Sequence, residues 1–351
     1  MIRRPLLAAL TLLLAAVAPP AVADAGSLED CRGIADNGAR LACYDALNPS
    51  AVRAAIPTTP FSAPPPDDTS PTATLRSSSA LPTLLGHAWE LDDDERGHIL
   101  RIRPYKPVYV LPLFHTTRAN HAPTSPAAGH SADRTELNDS EAKLQISLKT
   151  KLYEDLFGSN GDLWFGFTQT SRWQVYNPGD SRPFRETNYE PEAMLVWRSD
   201  LPVIGDWRWR YTALGINHQS NGRSLPLSRS WNRVVASFAF EKQDWTLTLR
   251  PWWRIPEKAE RDDNPDIADY LGRGDLQIVR RWGQHQLSLL LRHSLRVGND
   301  SHGAVQMDYA FPIAGELRGH LQWFSGYGES MIDYNHRANY FGVGVSLIEW
   351  Y

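Results

Sequence analysis

Residues 144–152 read LQISLKTKL, and the two faces of this stretch differ in chemistry. Leu144, Ile146, Leu148 and Leu152 share one parity, whereas Gln145, Ser147, Lys149 and Lys151 share the other. A period of two marks an extended strand, because successive side chains point to opposite faces. The pattern recurs in DWTLTLRPWW, residues 244–253, where Trp245, Leu247, Leu249 and Trp253 oppose Thr246, Thr248 and Arg250. In AVQMDYAF, residues 304–311, Val305, Met307, Tyr309 and Phe311 oppose Gln306 and Asp308. The last run sets Phe341, Val343, Val345, Leu347 and Tyr351 against Gly342, Gly344 and Ser346. Between residues 99 and 351 such runs amount to roughly a dozen strands, many about 10 residues long, separated by turn chemistry such as GSNGD, DDNP and SGYG.

Strands of that length cross a bilayer, but alternation also suits a soluble sandwich. Three further features favour the membrane. The chain begins with an export signal, its 13 Trp and 13 Tyr often fall near strand ends as interfacial girdles require, and it finishes on the aromatic Tyr351. The expectation is an all-β chain, an antiparallel transmembrane β-barrel behind a disordered or loosely structured N-terminal extension. The soluble-looking mean hydropathy does not oppose this, since alternating faces average out.

Residues 1–23 have the parts of a cleaved signal peptide: Arg3 and Arg4, an apolar run over residues 6–18, and Ala21-Val22-Ala23 before the cut. A spanning helix needs about 20 apolar residues, so this run is short for a permanent anchor. Residues 24–48 hold the two cysteines, Cys31 and Cys43. An oxidising compartment favours a disulfide between them, with two inert thiols as the alternative. Residues 49–82, dominated by Pro, Ser, Thr and Ala, read as a linker. Residues 83–351 form the barrel, in which the segments 91–95 and 116–140 look solvated. A formal charge of −4 with interspersed signs argues against a nucleic-acid binder, which should show a basic surplus or stripe.

One polar cluster interrupts the lipid-compatible pattern. In YTALGINHQSNG, residues 211–222, the apolar parity of Leu214 and Ile216 continues into His218 and Ser220. In SWNRVVASFAF, residues 230–240, the face of Val234, Ala236, Phe238 and Phe240 begins at Asn232. If apolar faces meet lipid, these three polar residues lie outside the barrel, on neighbouring strands joined by GRSLPLSR. A serine hydroxyl needs a base to become a nucleophile, an imidazole needs an acceptor on its other nitrogen, and an amide oxygen supplies one. The alternative is a strand-end histidine beside ordinary turn residues. The cost of placing polar groups against lipid favours a functional reading.

PFRETNYEP, HQSNGRS, SRSWNR, DDNPDI and SGYGESMIDYN, in this order along the chain, closely resemble the outer membrane phospholipase A family, integral esterases of Gram-negative bacteria. The resemblance runs from about residue 144 to residue 351. It implies a twelve-stranded barrel in the outer membrane with an exterior site, activated by calcium and by homodimerisation, acting on phospholipids and lysophospholipids. By position it implies Ser220 as nucleophile, His218 as general base and acid, Asn232 as the orienting residue and the Gly222 amide as oxyanion donor. It implies Ca2+ near the Arg223 carbonyl and the Ser228 hydroxyl, with Ser181 contributed by the other subunit. Enterobacterial members carry Asp where this chain has Leu225, a position linked with Asp263 to a second calcium mode. With Leu225 here that second site does not carry over, and Asp263 stays only a candidate metal residue.

Gln169 has the apolar parity of Leu163, Phe165 and Phe167. A lone amide facing lipid needs a partner, either across a subunit interface or among headgroups, and the resemblance favours the interface. The remaining histidines show no zinc-ligand spacing, and no glycine-rich phosphate loop is present. The competing class is a non-enzymatic porin-like or structural outer-membrane barrel.

Overall fold

The computed structural model describes residues 31–45, 83–182 and 184–351. The signal peptide and the linker lie outside them. The chain forms two compact units, divided after Ser78. In the first, helix α1 (Asn37–Asp45) follows Asp36, whose carboxylate accepts a hydrogen bond from the Ala39 amide at 2.8 Å. A disulfide joins Cys31 and Cys43.

The second unit is a closed antiparallel barrel. Its segments are β1 (Ile102–Pro104), β2 (Val108–His115), β3 (Ser140–Tyr153), β4 (Asp162–Trp173), β5 (Glu186–Pro202), β6 (Arg208–Ser220) and β7 (Ser230–Lys242). They continue with β8 (Trp245–Ile255), β9 (Gly274–Trp282), β10 (His285–His293), β11 (Gly303–Ala314), β12 (Leu317–Tyr327) and β13 (Arg337–Ile348). Both β1 and β2 pair with β3, through Pro104↔Leu148 and Tyr109↔Gln145, so they are one stave broken at Tyr105–Pro107. From β2 onward each strand pairs with the next, and β13 returns to β2 through Val343↔Leu113. The wall therefore has twelve staves and no free edge, as a lipid environment requires of a sheet.

The phase of each strand follows the pleat. On β3, Lys149 and Lys151 are 1% and 0% exposed whereas Ile146 is 49% exposed, so the lysines point into the lumen and the aliphatic face points out. Buried charges are tolerable when paired. Lys151 lies 2.8 Å from Glu90 and 2.7 Å from Glu154, Lys143 lies 2.8 Å from Glu329, and Arg172 meets Glu329 at 2.5 Å.

Before the wall begins, the chain enters the lumen. Helix α2 (Leu84–Trp89) starts at Thr83, whose hydroxyl accepts from the Gly86 amide at 3.1 Å. The Leu85 amide donates to Glu241 of β7 at 3.0 Å. Trp89 packs against Trp164 and Tyr211, with the Lys149 ammonium 3.3 Å from its ring centroid. This end of the barrel is filled by side chains, which opposes a wide pore. The tight turns 154–161, 203–207, 243–244, 283–284 and 315–316 lie at the same end. The long loops 116–139, 174–185, 221–229, 256–273, 294–302 and 328–336 lie at the other, the extracellular end of such barrels.

Three expectations from the sequence are corrected. Tyr351 does not continue the outward face of β13. The strand stops at Ile348, Glu349 turns inward to His320 at 3.1 Å, and Tyr351 packs against the cluster around Trp89. The acidic segment 91–95 is not merely solvated, since Leu91 is buried and Asp92 pairs with Arg210 at 2.6 Å. Within 116–140, Ser125 and His130 are buried and held by Asp263. Each departure is set by a partner far away in the chain.

Candidate active site

Strands β6 and β7 place His218 opposite Asn232 and Ser220 opposite Ser230. His218, Ser220 and Asn232 share the parity of Leu214 and Ile216, which are 49% and 61% exposed on the outer surface. Their neighbours of opposite parity, Asn217, Trp231 and Arg233, are buried on the lumen side. The polar cluster is therefore on the exterior, directly above a strip of aliphatic side chains.

His218 Nδ1 lies 2.9 Å from Asn232 Oδ1. Ser220 Oγ makes no hydrogen bond among the described residues, and it shares the half-buried outward row with the imidazole. On its other side Ser220 pairs with Tyr189 of β5. Inside the wall the pair is braced: Arg233 stacks over Trp231 at 4.2 Å and reaches Asn217 at 3.1 Å and Glu190 at 3.2 Å. The Trp231 indole donates to Gln219 at 2.9 Å. A rigid inner face holds the outer one in register.

The loop 221–229 is organised by buried Asn221. Its Nδ2 donates to the Leu227 carbonyl at 2.8 Å, and its Oδ1 accepts from the amides of Arg229 at 3.0 Å and Arg223 at 3.3 Å. Gly222 has φ +62°, a conformation that L side chains rarely adopt. An added Cβ would also sit 3.3 Å from the Tyr189 ring.

Ser228 Oγ donates to Asp263 Oδ2 at 2.6 Å, which leaves its lone pairs available. The Arg223 carbonyl accepts no hydrogen bond among the described residues. Asp263 also faces His130 Nε2 at 3.1 Å and Ser230 Oγ at 3.4 Å. A serine hydroxyl held by a carboxylate and a backbone carbonyl without a hydrogen-bond partner are oxygen donors, the kind that suits a hard cation better than a zinc-like ion. No group of three His, Cys, Asp or Glu able to hold a metal occurs among the described residues. Leu225 is exposed in the same loop and brings no oxygen.

Ser181 lies apart, in the loop 174–185, where its carbonyl accepts from the Trp173 indole at 2.8 Å. Gln169 sits on the outer face of β4, with Nε2 3.4 Å from Ser171 Oγ. Within DDNP, Asn264 is structural: it is buried and its Oδ1 accepts from the Ser230 amide at 2.9 Å.

The sequence reading missed two residues here. Asn221 passed for an ordinary turn residue, although an Asn at a strand exit is a known loop organiser. Glu257, just beyond β8, accepts a hydrogen bond from Asn232 Nδ2 at 2.9 Å. Its only signal in the sequence is that it continues the outward parity of Trp253 and Ile255.

The profile of the phospholipase A1 family matches residues 85–347. A protein of Neisseria meningitidis serogroup B named as a phospholipase A1 is 38% identical over 95% of this chain and 94% of its own length. The solved outer membrane phospholipase A of Escherichia coli superposes with a TM-score of 0.63 at 34% identity, over 72% of this chain and 100% of its own. The Salmonella typhi outer membrane phospholipase, solved as a dimer with bound calcium, gives 0.65 at 33% identity, over 78% of this chain and 100% of its own.

Proposed function

The chain belongs to the phospholipase A1 family and is an outer-membrane phospholipase, and from that premise we propose that it cleaves phospholipid and lysophospholipid acyl esters through Ser220, His218 and Asn232. The observation that carries this reading is the outward phase of the His218–Asn232 hydrogen bond, directly above exposed Ile216 and Leu214. A lipid in the outer leaflet reaches that surface laterally, with its acyl chain along the aliphatic strip and its ester at the level of Ser220.

Ser220 Oγ attacks the ester carbonyl carbon while its proton passes to His218 Nε2, the nitrogen not engaged by Asn232. Asn232 Oδ1 steadies the imidazolium through Nδ1–H. The Gly222 amide donates to the oxyanion that forms. Collapse expels the alcohol oxygen of the lysolipid, which takes the proton from Nε2 and leaves an acyl-serine. Water, deprotonated by the same imidazole, then releases the fatty acid and restores the hydroxyl.

The Salmonella typhi relative was solved as a dimer with bound calcium. In this chain the Arg223 carbonyl and the Ser228 hydroxyl would hold Ca2+, together with Ser181 of the partner subunit, and Asp263 would orient the Ser228 hydroxyl. When bound, calcium would supply positive charge that stabilises the developing oxyanion, a charge the neutral Asn232 does not provide. Gln169, an amide on the outer face of β4, would bond across the subunit interface of a homodimer. Calcium-stimulated release of fatty acid from phospholipid in detergent, by wild-type protein and Ser220→Ala, tests the assignment. Abolished release is expected; unchanged release by the variant would overturn it.

A further inference from the structure

Glu257 extends the outward row of β8: Ile255 lies opposite Asn232, and Glu257 follows two residues later on the same parity. Its Oε1 accepts a hydrogen bond from Asn232 Nδ2 at 2.9 Å while Asn232 Oδ1 faces His218 Nδ1, also at 2.9 Å. The nearby Arg254 does not neutralise it, being engaged by Asp262 at 2.5 Å. Three polar side chains thus run in line along the outer wall, ending on an acid.

We propose that Glu257 is a positioning residue: its carboxylate fixes which way the Asn232 amide points, and thereby which nitrogen of His218 carries the proton. The inference rests on the assignment of Ser220, His218 and Asn232 as the catalytic groups.

A carboxylate only accepts hydrogen bonds, so the NH2 end of the amide must turn toward Glu257. The carbonyl end then faces the ring, Nδ1 must donate, and Nε2 is left unprotonated to receive the serine proton. In the flipped amide the NH2 group would face the ring and Nδ1 would have to accept. The proton would then sit on Nε2, and the ring could not act as base toward Ser220. Without an acid behind it, an amide has little to choose between these two orientations. An aspartate in place of Asn232 would need no such orientation, having two equivalent oxygens.

The test is Glu257→Gln, whose amide can present either an oxygen or an NH2 group, assayed with calcium and compared with wild type for kcat, KM and histidine tautomer. The expected result is a fall in kcat of about tenfold, the scale of one hydrogen bond to a charged group, with KM unchanged. Nitrogen-15 NMR of histidine-labelled protein should show His218 protonated at Nδ1 in wild type and a mixture of tautomers in the variant. In an Asn232→Asp background the sign should change, because Glu257 would then repel a second carboxylate and Glu257→Gln should not lower activity. An unchanged tautomer, or the same loss in both backgrounds, would overturn the proposal. Activity persisting in Ser220→Ala would instead remove the catalytic assignment beneath it.

Discussion

His218 and Asn232 face one another across the β6–β7 pair, Nδ1 to Oδ1 at 2.9 Å, at the point where the outer faces of both strands change from aliphatic to polar. Removing the amide leaves the imidazole with no acceptor for its Nδ1 proton. Asn232→Ala should lower kcat by about 10- to 100-fold with little change in KM. The side chain is half-buried on the outer wall and fills no core, so the barrel should keep its heat-resistant compact form on unheated gels. A variant that hydrolyses phospholipid at the wild-type rate would contradict the role given to Asn232.

Ser228 offers its lone pairs because its proton is committed to Asp263 at 2.6 Å. Ser228→Ala should weaken calcium binding by about tenfold or more, read by titration calorimetry in detergent. Wild-type protein should lose fatty-acid release in chelator and regain it on adding calcium. Calcium affinity unaltered by the substitution would remove Ser228 from the ligand set.

Asp333, in the loop 328–336, is held by Arg185 at 3.0 Å and by Ser330 at 2.8 Å. Burial by itself raises its pKa, but the guanidinium and the hydroxyl bring it below the ordinary aspartate value. A depressed folded-state pKa means that the stabilisation is present above the unfolded value of about 3.9 and is lost as pH falls through the lower folded value. Hydrogen exchange in this loop should therefore accelerate as pH falls below about 4, beyond the intrinsic pH trend. In Asp333→Asn that extra acceleration should vanish, and its persistence would assign the loop's acid sensitivity elsewhere.

The barrel was legible because its determinant is local. Period-two alternation at residues 144–152 and 244–253 sets which side chains face lipid, and the same parity carried His218, Ser220 and Asn232 to the exterior. Where a strand stopped, the rule stopped with it: Tyr351 shares the parity of Leu347 yet turns inward, because the strand ends at Ile348. Loops carry no period, so the burial of His130 against Asp263, 133 residues away, left no trace in the pattern.

What the sequence by itself determined is the alternation, hence the outward phase of the catalytic candidates, since each strand's pleat needs no knowledge of the rest of the chain. Only the tertiary structure decided what stands behind them. Closure of the wall brings β8 beside β7 and so sets Glu257 against Asn232, while the folded loops bring Asp263 to Ser228 and α2 into the lumen. Those contacts depend on register and loop path summed over many residues, and no short stretch encodes them.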